Sequence, residues 1–225
     1  MSGFFSLEGG LFGAMGKVFD ILFLSLLWVL FSLPIVTIGA STTALYYTTS
    51  KVIRRERGYI FAEFWKSFKE NWLSGVIYTV ILIVIALLFR FNFHVINQEN
   101  STMNTILFYI YWVMMYLIAS CAVYLFPVLS RFNTKRVQMV KFSLLLSMKH
   151  LPSTLLVLVW VVIGGLVMFI VPLTTIFMPA IIALLCSFSL ERVFKLYMPK
   201  PEPRYDEEGN LIEDEEEYLE WYMTF

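Results

Sequence analysis

Apolar runs alternate with charged or hydroxyl-rich stretches along this chain, and the pattern predicts helices that cross a membrane. The runs cover residues 18–38, 75–93, 106–128, 155–171 and 173–190. The first is 21 residues long, enough to cross about 30 Å of hydrocarbon at about 1.5 Å per residue. Pro34, near its end, removes a backbone donor and predicts a kink. Should this first run instead turn back on itself, four spans remain and the N-terminus changes sides.

The segment between the first two spans organises the rest. Ser41 is a plausible helix N-cap and Gly58 a plausible stop. Lys51, Arg54, Arg55 and Arg57 crowd the end of this helix, where cations suit the macrodipole. Phe61, Phe64, Trp65, Phe68 and Trp72 then fall on one stripe at a 3.6-residue period, with Glu63, Lys66, Ser67 and Glu70 opposite. That pattern predicts a separate helix lying in the membrane interface, or one docked in a partner's groove. Its spacing recurs at Val137, Val140, Leu144 and Met148, after the third span. Each unit runs from a proline-marked span through a basic segment to a new span, a weak internal repeat with both copies in the same direction.

Composition confirms the class. Of 225 residues, 59% are hydrophobic and 15% charged, with a mean hydropathy of +0.73. Soluble domains are nearer 45–50% apolar and 25% charged. The reading is all-α: a polytopic helical membrane protein with about five transmembrane helices and cytoplasmic interfacial helices. Residues 1–200 form one membrane domain, and 201–225 form an acidic cytoplasmic tail. The first span is expected to be retained, because no charged leader or small-residue cleavage site precedes it.

Charge sets the expected orientation. The net charge of zero hides a basic body and an acidic tail. Basic residues follow the first, third and fifth spans, and are absent from the loops after the second and fourth. The positive-inside rule then places the N-terminus outside and the C-terminus inside, with Lys17 a minor dissent. Lys51, Arg54, Arg55, Arg57, Arg131, Lys135 and Arg136 are expected to anchor lipid headgroups. Each basic cluster adjoins a span, so no nucleic-acid partner is expected.

Candidate chemistry is sparse. Gly39, Ser41, Thr42 and Thr43 open a helix, where free amides and hydroxyls could hold a phosphate or a sugar; an ordinary N-cap is the alternative. Asp20, the only acid in the first span, is expected to pair with Lys17 on one helical face; a functional intramembrane carboxylate is the alternative. His94 and His150 fall on opposite sides of the membrane and share no site. Cys121 and Cys186 lie in apolar runs as packing residues. Glycines 9, 10, 13 and 16 lack the strand and Lys-Ser/Thr of a phosphate loop, so no ATPase is expected. Gly9, Gly10, Gly13 and Ala14 read either as a small-residue face suited to close helix approach or as a loosely ordered interfacial segment. No metal or cofactor is expected.

The run FFSLEGGLFGAMGKVFDILFLSLLWVLFSLPIVTIGASTTALYY, with FAEFWKSFKENW after it, resembles the YesL-like family of bacterial membrane proteins. The most specific piece joins Leu33-Pro34 to Gly39-Ala40-Ser41. The resemblance implies a multi-pass protein of the bacterial cell membrane, associated with carbohydrate uptake and of unsettled molecular role. It carries over no catalytic residue. Three functions follow for comparison. One is a non-enzymatic accessory protein contacting the permease or ATPase subunits of an ABC-type sugar transporter. The others are an autonomous small-solute transporter or channel, and a membrane enzyme, for which no catalytic set is found. Homo-oligomeric state is left open.

Overall fold

A computed structural model describes residues 10–96, 102–132 and 134–198. The tail at 201–225, Gly9, and the side-chain positions of Gly10, Gly13, Ala14 and His94 lie outside what is described. Seven α-helices make up the described residues: α1 (Gly10–Ser32), α2 (Ile38–Thr48), α3 (Ile60–Ile96), α4 (Thr102–Arg131), α5 (Arg136–Lys149), α6 (Leu151–Ile170) and α7 (Met178–Phe194). Short 3-10 turns at Ile35–Thr37 and Pro172–Ile176 precede α2 and α7, and a π-turn at Thr49–Ile53 extends α2.

Four of these helices are long and apolar enough to cross a membrane, over Met15–Ser32, Ile60–Phe93, Asn104–Arg131 and Leu151–Ile170. The fifth expected span, 173–190, is divided. Its start forms the Pro172–Ile176 turn, and α7 is a 17-residue helix that runs on to Phe194. Pro127 does not end its helix either, because α4 continues past it to Arg131.

The first expected span, 18–38, is corrected more deeply. α1 stops at Ser32, and Pro34 takes an extended conformation at φ −75°, ψ 111°. The Thr37 hydroxyl lies 2.7 Å from both the Phe31 and Pro34 carbonyl oxygens, satisfying acceptors that the broken helix leaves open. The chain then reverses. Gly39, at the start of α2, donates its amide to Thr79 Oγ1 at 3.0 Å, while Lys51, beyond its end, meets Glu63 at 2.9 Å. α2 therefore runs antiparallel to α3. Lys17, near the start of α1, meets Glu56 at 2.6 Å, in the loop that follows α2. The first turns of α1 thus stand beside the basic loop. Lys17 joins the other cations at one end of the bundle, and the expected Lys17–Asp20 pair gives way to Lys17–Glu56.

α3 corrects a second expectation. The stripe at 59–72 and the span at 75–93 are one continuous 37-residue helix, about 55 Å long. No glycine kink or proline interrupts it, since Gly75 is absorbed into the helix interior. The stripe serves α1: the Phe31 ring lies 5.0–5.5 Å from those of Phe64, Trp65 and Phe68. Phe64 and Phe68 are buried, whereas Phe61 and Trp72 face outward.

α2 sits at the centre. Eight of its 11 residues are buried, and it touches α1, α3, α4 and α7. Its crossing with α3 is close because two glycines face it. A Cβ on Gly75 would lie 2.6 Å from the Ala40 backbone, and one on Gly39 would lie 2.7 Å from the Gly75 carbonyl oxygen. Small residues of this kind let helices approach in an apolar medium.

Candidate functional site

The basic end of the bundle holds a buried ionic cluster built from four separate elements. α7 contributes Glu191, whose side chain is 1% exposed. Arg131, the last residue of α4, donates to Glu191 Oε1 through Nη2 at 2.7 Å and Nε at 2.9 Å. Arg55, just past the π-turn, donates to Oε2 at 2.9 Å. From α2, the Tyr46 hydroxyl completes the set on Oε1 at 3.1 Å. Arg54 lies alongside, donating to the Ser187 carbonyl oxygen at 3.0 Å and stacking 4.7 Å from the Phe188 ring centroid.

Local backbone geometry presents these groups. The π-turn delays the end of α2, with Arg54 N–H bonding the Thr49 carbonyl at 3.0 Å. π-geometry inside helices often marks functional positions. Glu56 then takes a left-handed conformation at φ 56° and Gly58 one at φ 83°, which turn the chain into α3. Arg54 and Arg55 consequently face α7 while Glu56 faces α1.

Burial governs the electrostatics. Desolvation, followed by the nearby Glu191 charge, holds the Tyr46 phenol well above its ordinary value of 10.0, so the hydroxyl stays a donor. Burial, then the Arg131 charge, lowers the Arg55 guanidinium from its ordinary value, with Glu191 opposing. Lys51 loses by desolvation but gains more from its Glu63 and Tyr47 bonds, and ends above 10.5. Two guanidinium groups on one carboxylate leave a net positive interior, and Arg131 Nη1 is buried without a protein partner. A fully hydrogen-bonded carboxylate in this setting fixes α4, α7 and the π-turn to one another.

The sequence-predicted residues divide accordingly. Arg131 and Arg55 are expected to reach lipid headgroups, yet both turn inward to Glu191, with side chains 1% and 11% exposed. The reason is a buried acid that draws them in. Lys51 is likewise occupied by Glu63, whereas Lys135 and Arg136 remain exposed. Arg57 is half-exposed in the same loop. At the proposed ligand position, the Gly39 amide is taken by Thr79 and the Thr43 hydroxyl donates to the Gly39 carbonyl at 2.8 Å. Thr42 accepts from Trp28 Nε1 at 3.2 Å. Ser41 is buried with no protein partner for its hydroxyl. His150 bonds the Tyr197 hydroxyl at 3.0 Å. Among the described residues no group of His, Cys, Asp and Glu is placed to hold a metal ion.

Hydropathy alone misses Glu191, because the apolar run ends at Leu190. A signal was present: it is the one acid between Leu151 and Lys200, directly abutting an apolar run. An ionisable group in that position asks for a buried partner.

Residues 21–93 match the family described as "Protein of unknown function, DUF624". A curated relative, "Uncharacterized protein YteU" of Bacillus subtilis (strain 168), is 28% identical over 138 residues, covering 60% of this chain. The match spans 62% of that relative's length. No solved structure matches. The family match includes the Leu33-Pro34 to Gly39-Ala40-Ser41 piece that carries the YesL-like resemblance. Together with four apolar helices, these matches place the chain as a multi-pass protein of the bacterial cell membrane.

Proposed function

We propose that this protein is a non-enzymatic accessory subunit of the bacterial membrane, working beside a carbohydrate uptake system of the ABC type. The observation that carries the reading is how charge is consumed inside the body. Glu191 is taken by Arg131, Arg55 and Tyr46, and Lys51 by Glu63. An ion-coupled carrier needs a carboxylate free to bind and release its ion, and the buried acid Glu191 is held by three donors. A fixed ionic clamp instead supports a rigid body that presents surfaces to a partner. α5 offers one such surface on the basic side: Val137, Leu145 and Met148 face outward beside Lys141.

The orientation that goes with this reading has both α1's start and α7's end in the cytoplasm. Lys17, Arg54, Arg131 and Arg192 then share the cytoplasmic side, as the positive-inside rule asks. The test is affinity capture of the full chain in mild detergent from cells grown on the inducing sugar. Stoichiometric permease or ATPase subunits are expected; repeated capture of nothing overturns the reading.

A second reading, autonomous transport of a neutral solute, draws on the buried hydroxyls of Ser41 and Thr48 on α2, which have no protein partner. Purified protein in liposomes would then move sugars unaided, and flux equal to empty vesicles would sink it.

A further inference from the structure

At the end of the bundle opposite the ionic cluster, α3 and α4 enclose a lateral groove of about 540 Å³. That volume falls within the range of about 300–1,000 Å³ for sites that take one small molecule. Its walls are almost wholly apolar, from Leu82 and Ala86 on α3 to Met115 and Ala119 on α4. Phe89 and Tyr111 cross it edge to face, with ring centroids 5.2 Å apart. One charged residue lines it: Arg90, exposed on α3, which makes no hydrogen bond or ion pair to another described residue.

The groove's depth fits an acyl chain. Leu82 to Phe93 on α3, and Tyr111 to Ala122 on α4, each span 11 residue steps, about 16 Å along a helix axis. Half the hydrocarbon core of a bilayer is about 15 Å. The groove is therefore one leaflet deep. Arg90 stands at its rim, 27 residues along α3 from Glu63, about 40 Å from the basic end. That separation puts Arg90 at the headgroup level of the far leaflet, with the apolar floor near the midplane. A guanidinium at that level favours a phosphate, bidentate where geometry allows.

We propose that the α3–α4 groove is a phospholipid site in the leaflet opposite the basic face. One acyl chain lies along the groove, and the phosphate pairs with Arg90.

Native mass spectrometry of the full chain, released from detergent micelles with added phosphatidylglycerol, tests it. One lipid should persist at activation energies that strip the rest. Arg90→Gln should reduce that adduct about tenfold, the change produced by losing one charged contact, and Arg90→Lys should retain part of it. Ala119→Trp, which fills the groove, should abolish the adduct while the thermal midpoint stays near that of the parent. If Ala119→Trp fails to fold, Ala86→Phe fills the same space from a more exposed position. Equal adducts in parent, Arg90→Gln and the filled variant would overturn the site. A dimer of the chain that disappears on filling the groove would also overturn it, giving the groove to a second copy.

Discussion

Glu191 and Arg131 meet twice, at 2.7 and 2.9 Å, and each side chain is 1% exposed. They stand 60 positions apart in the chain and join the end of α4 to the end of α7. Removing the acid leaves two buried guanidinium groups without their counter-charge. Breaking one side of a buried pair costs about 3–5 kcal/mol. Glu191→Ala should therefore lower the detergent unfolding midpoint sharply. The triple change Glu191→Leu, Arg131→Met and Arg55→Met should recover most of the loss, because it removes the stranded charge as well. A triple variant as unstable as the single one would refute this account.

Alkaline pH should weaken the same cluster. Tyr46 is held above its ordinary value of 10.0 in the folded protein, first by burial and then by Glu191. Above about pH 10 the unfolded chain releases this proton while the folded chain keeps it. The unfolded state then binds fewer protons, so stability falls as pH rises through that window. Lys51, raised above 10.5 by its Glu63 bond despite desolvation, acts in the same direction. Denaturation curves at pH 9 and above should show the decline, shallower in Tyr46→Phe. An unchanged slope in that variant would place the titration elsewhere.

The α2–α3 crossing should tolerate no added carbon. A Cβ at Gly75 would lie 2.6 Å from both the amide nitrogen and the Cα of Ala40, which are backbone atoms. Overpacking of this kind costs about 1–3 kcal/mol. Gly75→Ala should fall in that range by thermal unfolding. Gly165→Ala, where nothing lies within 4 Å, should be close to neutral and serves as the control.

The reversal between α1 and α2 predicts sidedness. Lys17→Cys and Glu56→Cys, each in a Cys121→Ser, Cys186→Ser background, should react with an impermeant maleimide from the same side of the membrane. Val36→Cys, exposed near the turn, should show no such reactivity from that side. Labelling of positions 17 and 56 from opposite sides would refute the hairpin.

Much of this architecture follows from local chemistry and is legible in the chain. Membrane class, the helices at 106–128 and 155–171, and the gathering of cations at one end come from hydropathy and charge, which depend on neighbours a few positions away. Pro34 marks a break for the same reason: it lacks a donor wherever it stands. What the break leads to is another matter. Hydropathy is equally satisfied by a span that continues and by one that turns back, and only the packing of Gly39 on Gly75 decides for the turn. The aromatic stripe of α3 has a helical period whether it meets lipid, a partner or Phe31. The fate of each cation is likewise non-local. An arginine beside a span can reach a headgroup, and Arg136 remains exposed, but Arg131 finds Glu191 60 positions away and Arg55 finds it 136 away. A buried charge takes the nearest opposite charge that the fold brings within reach, and that distance exists only in three dimensions.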